Sequence, residues 1–270
     1  MARSTRNRPA SNSMPRTAWA WAVAGVVLGG IPAMVAFAPA AWLTGQVARA
    51  TGGQVQLLQP RGTVWSGSAQ LLLTGGAASQ DQAALPGRVQ WQLRPGWTGL
   101  RAHLQASCCT PLPLQVAVQP RWGGASVAVS DGQSQWPAAL LSGLGTPWNT
   151  LQLQGQLVLQ TTGLTATWAA GRMALAGQAQ LDARGMSTRL STLRPIGSYR
   201  LALQGGEVPG ITLTTLEGQL LLSGTGQWVG NRLRFAGEAS AATPEREAAL
   251  ANLLNIIGRR SGARSIITVG

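Results

Sequence analysis

Two hydrophobic patterns divide the chain. From Thr17 to Leu43 there is no charged residue in 27 positions. The apolar core of this stretch, residues 18–38, matches the roughly 20 residues a helix needs to span a bilayer. Trp19 and Trp21 mark one edge and Trp42 the other, as indole rings do in the headgroup zone. Pro39 stands where such a helix should stop. Beyond it, residues 44–241 change to period two. Gln152, Gln154, Gln156 and Gln160 alternate with Leu151, Leu153, Leu157 and Leu159. The same period appears at Leu112, Leu114, Val116 and Val118, at Leu71 with Leu73, at Leu201 with Leu203, and at Leu233 with Phe235. Period two puts one face of a strand on a core and the other in solvent. Glycine-containing turns recur about every 8–12 residues, the spacing of an antiparallel sheet.

A repeat strengthens this expectation. Gly155-Gln156-Leu157, then Trp168, Gly171-Arg172, Leu175 and Gly177, is echoed by Gly218-Gln219-Leu220, then Trp228, Gly230, Arg232, Phe235 and Gly237. The Trp, Arg and last Gly are offset by 60 residues and the first Gly by 63. Each copy predicts a hairpin with a Gly-rich turn. Gly62-Thr63-Val64-Trp65-Ser66-Gly67 leading into residues 69–73 is a weaker echo. Hairpins side by side cannot close a core alone, so the expectation is a curved, partly rolled antiparallel sheet. The eight Trp after Leu43 then fill the core, or else line a groove for an acyl chain or a partner strand.

The C-terminal pattern is helical. Thr243-Pro244-Glu245-Arg246-Glu247 reads as a cap, a proline in the first turn and early acids. Leu250, Leu253, Leu254 and Ile257 make one apolar stripe. The predicted helix covers residues 244–257, stops at Gly258 and plugs one open end of the sheet. Residues 266–269 read as a last strand.

Charge fixes an orientation. Arg3, Arg6, Arg8 and Arg16 precede the apolar segment and no acid does, which keeps residues 1–16 in the cytoplasm and exports residues 44–270. A cleaved signal peptide is the rival, with Ala36-Phe37-Ala38 as a small-x-small site. The apolar core exceeds the usual 7 to 15 or so residues, however, and Pro39 would be the first mature residue. An uncleaved anchor over residues 17–43 is the expectation. Gly29-Gly30 could seat another helix closely, although glycine is common throughout this chain.

Composition narrows the chemistry. The chain has 21 Arg, no Lys, 8 acids and one His, a net charge of +13. Without Lys there is no P-loop lysine, no Schiff base and no Ser-Lys dyad. One His leaves little acid–base capacity near neutrality. No Gly-x-Ser-x-Gly elbow occurs. His103 sits in an alternating stretch, and the acids Asp81, Asp131, Asp182, Glu207, Glu217, Glu238, Glu245 and Glu247 are scattered. The exported part keeps 17 Arg against 8 acids with no run longer than Arg259-Arg260. No nucleic-acid module signature is present. The charge suits anionic headgroups or an acidic partner instead. Cys108 and Cys109 are adjacent: a vicinal disulfide and two part-buried thiols are both open readings. With His103 they make a poor zinc site. No cofactor is implied.

The order of these features resembles the type II secretion system protein N family, the general secretion pathway N component of Gram-negative bacteria. The likeness rests on the Arg-rich tail, one anchor, Gly62-Thr63-Val64-Trp65-Ser66-Gly67 soon after it, and a β-rich exported domain. It rests most on Leu216-Glu217-Gly218-Gln219-Leu220 through Gly224, Gly226, Trp228, Leu233 and Phe235, then Leu253 to Gly258, Arg259 and Arg260. Residues 77–150 carry no mark of it. The resemblance implies a non-enzymatic, single-pass inner-membrane accessory subunit with a periplasmic domain. It further implies other secretion subunits as partners and a scaffolding part in moving folded periplasmic proteins across the outer membrane. It carries over no catalytic residue. The alternative function is a tethered groove protein that binds or transfers lipid.

Overall fold

The structure, a computed structural model, describes residues 16–76, 79–169, 171–230 and 232–270, without the side chains of residues 16–18, 20 and 22. The tail expected over residues 1–16 lies outside the described residues except for Arg16. The chain divides into two units, residues 1–38 and 39–270.

In the first unit, α1 (Arg16–Ala36) carries Pro32 within it. Val26, Leu28, Ile31 and Met34 are exposed along it. Among the described residues, no helix is long and apolar enough to cross a membrane.

The second unit opens at Pro39, which caps α2 (Ala40–Ala50) with an extended backbone, φ −62° and ψ 144°. Residues 40–43 therefore begin a separate helix instead of continuing the apolar one. The alternating part of the sequence builds an antiparallel sheet. Its first half contains β1 (Val55–Gly62), β2 (Ser66–Thr74), β3 (Gln82–Ala84), β4 (Val89–Gly96), β5 (Gly99–Ala106), β6 (Leu114–Arg121), β7 (Gly124–Val129) and β8 (Gly132–Pro137). Its second half contains β9 (Gln154–Ala169), β10 (Arg172–Ser187), β11 (Gly197–Gly206), β12 (Gly210–Gly218), β13 (Leu220–Val229), β14 (Arg232–Ala241), β15 (Arg259–Ser261) and β16 (Arg264–Val269). Among the described residues these 16 strands form one sheet, ordered β1-β2-β4-β5-β6-β7-β9-β10-β11-β12-β13-β14-β16-β15. β3 pairs with β2 and β8 with β9 off this path.

Register sorts the side chains onto two faces. Leu100, Val118, Val127, Ala166 and Leu175 stand directly opposite one another across five strands. The next position along, Arg101, Ala117, Ala128, Thr165 and Ala176, forms the other face. Further on, Leu159, Leu181, Leu201 and Leu213 continue the apolar row to Gly224, Gly237 and Ile267. The two repeat copies are equivalent hairpins: Trp168 pairs with Met173 and Ala169 with Arg172, as Trp228 pairs with Leu233 and Val229 with Arg232.

Helices cover the apolar face where it meets the buried clusters. The C-terminal helix, α4 (Pro244–Ile257), buries Leu250, Leu253 and Leu254. They pack with Leu157, Met186, Ile196, Tyr199 and Leu220. A 3-10 turn (Ala138–Leu144) and the one-turn helix α3 (Trp148–Leu151) sit between β8 and β9. The alternation expected from Leu151 therefore starts only at Gln154. Leu151 ends α3, and Gln152 turns the chain in the left-handed region at φ 43°.

Candidate functional site

The Gly62–Gly67 block is the turn that joins β1 to β2. Thr63 N–H donates to the Ser66 carbonyl at 2.9 Å, and Ser66 N–H to Thr63 Oγ1 at 3.1 Å. Gly62 has φ 88°, a left-handed conformation that costs glycine little. A Cβ on Gly67 would lie 2.5 Å from the Trp91 ring and 2.7 Å from the Arg61 carbonyl. The missing side chain is what lets Trp91, only 3% exposed, slide under the turn. Its Nε1–H donates to the Val64 carbonyl at 3.0 Å. The neighbouring carbonyl, of Trp65, accepts from Leu93 N–H at 2.7 Å. Pro39 forms a β-bridge with Thr63. The motif therefore fixes three things to one another: the start of the second unit, the first hairpin and β4.

The C-terminal motif residues form a clasp at the opposite ends of the strands. Gly218 ends β12 opposite Gly197. Gly258 follows α4 in extended backbone at φ −169°. Arg259 and Arg260 open β15, opposite Ile266 and Ser265. Arg260 Nη2–H donates to Glu247 Oε1 at 2.7 Å and ties β15 to α4. The Arg260 Nη1 is buried without a hydrogen-bond partner among the described residues. Ser265 Oγ–H, fully buried, donates to the Leu254 carbonyl at 2.7 Å. Glu245 is held below the ordinary carboxylate range by the Thr243 hydroxyl and then by its own backbone N–H at the start of α4. Trp228 lies away from this clasp, near the far end of β13 opposite Leu233 of β14, so the structure does not gather the family-motif residues into one site.

Polar chemistry on the sheet centres on Asp182 of β10, 2% exposed. Arg200 Nε–H reaches its Oδ1 at 2.8 Å, and Arg184 Nη2–H its Oδ2 at 3.2 Å. The Arg200 guanidinium is the largest cause of a carboxyl pKa below the usual range, and desolvation opposes it. Arg200 is raised in turn by the same bond. Tyr199 is pushed well above the ordinary phenol value by burial, and its hydroxyl donates to the Leu220 carbonyl at 3.2 Å. Both groups are tied into the sheet. Cys108 and Cys109 are joined as a vicinal disulfide, with Cys109 buried beside Leu85 and Ala106. Among the described residues, no group of three His, Cys, Asp or Glu is placed to hold a metal ion.

The apolar face carries two clefts. One, of about 400 Å³, lies between α4 and the sheet and is lined by Leu157, Leu201, Leu213, Ile256, Ile267 and Trp148 among others. The second, of about 340 Å³, lies under α2, with Leu43 and Val47 facing Leu57, Trp91 and Leu104. Both fall in the range of about 300–1,000 Å³ typical of ligand sites. The start of α2 is hidden in the uncharged run, although Leu43 and Val47 are spaced i, i+4 on one helical face. The expectation that Trp fills the core holds for Trp91. It fails for Trp97 and Trp122, which are fully exposed, and Trp168 is 44% exposed. These three sit in or beside hairpin turns, where no second layer exists to cover them.

Fold and geometry together define a mainly antiparallel β protein with a short C-terminal helix docked on its apolar face. Residues 53–267 match the model of the type II secretion system (T2SS) protein N family, and the chain belongs to that family. Comparison with curated proteins and with solved structures returned no match.

Proposed function

We propose that this protein is a non-enzymatic accessory subunit of the type II secretion machinery, held at the inner membrane by the apolar stretch ahead of Pro39, with the sheet that follows in the periplasm. The family match over residues 53–267 carries this reading. Further support comes from the 27 uncharged positions and the arginines that precede them. Its role is assembly: the strands supply a long surface, and the edge strands β1 and β15 leave backbone groups to which a partner strand could add. Deleting the chain from its host and measuring export of type II cargo tests this. Reduced export, restored by the wild-type gene, is expected. Unchanged export together with no crosslink to any secretion subunit in native membranes would overturn it.

One observation favours a second reading, a lipid-binding groove. Leu157 and Ile267 line the same 400 Å³ cleft. Their strands, β9 and β16, are six steps apart in the sheet order. A flat sheet would separate them by about 29 Å, so the sheet curves round α4 and encloses apolar space. Lipid that co-purifies with the full-length protein, and that is lost when Leu213→Trp fills the cleft, is the expected result under this reading. A lipid-free protein would remove it.

A further inference from the structure

The strands alternate in direction, so six turns lie at one end of the sheet: 62–66, 96–99, 121–124, 169–172, 206–210 and 229–232. Trp97 and Trp122 stand fully exposed on two of them, and Trp168 is 44% exposed beside a third. Trp42, 60% exposed, is in the first turn of α2. It lies at this same end, because Pro39 pairs with Thr63. On or beside the same set of turns stand Arg94, Arg101, Arg121, Arg172 and Arg232, all exposed. None of the four ion pairs among the described residues includes any of them. Arg94 and Arg101 face each other directly across β4 and β5, a like-charge pairing that costs stability within the sheet. Glu207 is the one acid in these six turns.

We infer that this rim of hairpin tips is a contact surface for an anionic lipid bilayer. Trp prefers the boundary between headgroup and acyl chain, since its ring is apolar and its N–H needs a polar partner. Arg beside it adds attraction for anionic headgroups, about five-fold in binding per cation near the surface. A protein partner would cover the rings with a complementary apolar surface. Here the rings stand apart on separate turns, which suits a fluid boundary that accepts each tip independently. The chain also comes into the second unit at this rim, and two residues separate the end of α1 from Pro39. The orientation rests on the proposed anchor, while the rim residues belong wholly to residues 39–270.

The test is fluorescence of the full-length protein in vesicles whose lipids carry bromine on the acyl chains, which quenches buried indoles. One set is phosphatidylcholine alone and the other includes phosphatidylglycerol. Wild type should be quenched more than W97F/W122F in the anionic vesicles, and the difference should shrink in phosphatidylcholine or at high salt. R94Q/R101Q/R121Q/R172Q should lose the difference while keeping an unchanged or higher thermal midpoint, an outcome a purely structural role would not give. W19F/W21F reads the anchor separately, by lowering the quenching in both lipids. Equal quenching of wild type and W97F/W122F in anionic vesicles, with the Trp19 and Trp21 signal present, would overturn the rim and leave the anchor standing. A rim difference without that signal would sink the anchor and keep the rim.

Discussion

Asp182 shows how much one charge can matter in a sheet so poor in charge. Its carboxylate is 2% exposed, while its partners Arg200 and Arg184 are 38% and 56% exposed. Solvent therefore screens part of the attraction. Because its folded pKa lies below its unfolded value of about 3.9, the pair contributes stability above that pH and loses it as pH falls through the folded value. Asp182→Asn should lower stability by about 1–3 kcal/mol at pH 7. The gap between variant and wild type should narrow as pH falls below the unfolded carboxyl value of about 3.9 and through the lower folded one. Urea midpoints across that range check this, and a gap independent of pH would contradict it. Sequence spacing alone shows the eight acids as scattered groups. Asp182 and Arg200 are 18 residues apart, and only the β10–β11 register brings them opposite each other.

Among the elements, α4 carries the packing of the second half. Leu250, Leu253 and Leu254 form its buried stripe, with Ile257 partly buried against the same cluster. Leu253→Ala should cost about 2–5 kcal/mol, read from the thermal or urea midpoint, because the cleft beside it gives the cavity little to collapse onto. A loss under 1 kcal/mol or so would mean that the helix is only loosely docked. This element was legible in the sequence to the residue: periodicity, Pro244 and the first-turn acids all agree, and α4 spans Pro244–Ile257. The two repeat hairpins were legible for a similar reason, since a turn and its flanking Trp and Arg are local. The helix α2 and the one-turn α3 were not. Residues 40–43 continue an uncharged run, and Leu151 and Leu153 continue a Gln/Leu alternation, so the local signal in each case pointed the wrong way. The clasp around Arg260 depends on α4 meeting β15 and was equally hidden.

On the scale of the molecule, binary patterning predicted a sheet with one apolar face, and the cross-strand rows bear that out. It could not say which apolar residues would be covered. Helices cover the end of the sheet that holds the C-terminal clasp, and α2 covers part of the first half. The hairpin tips have no covering layer, so Trp97 and Trp122 end in solvent although a count of Trp suggests a core. That asymmetry underlies the inferred lipid contact at one rim. Family membership underlies the proposed role in secretion. The central claim, a membrane-held subunit of the type II machinery, is tested most directly by affinity purification of the tagged full-length chain from gently solubilised membranes of its host. The account predicts recovery from the inner-membrane fraction together with at least one other secretion subunit. A chain recovered free in the soluble fraction, with no secretion subunit bound, would contradict it.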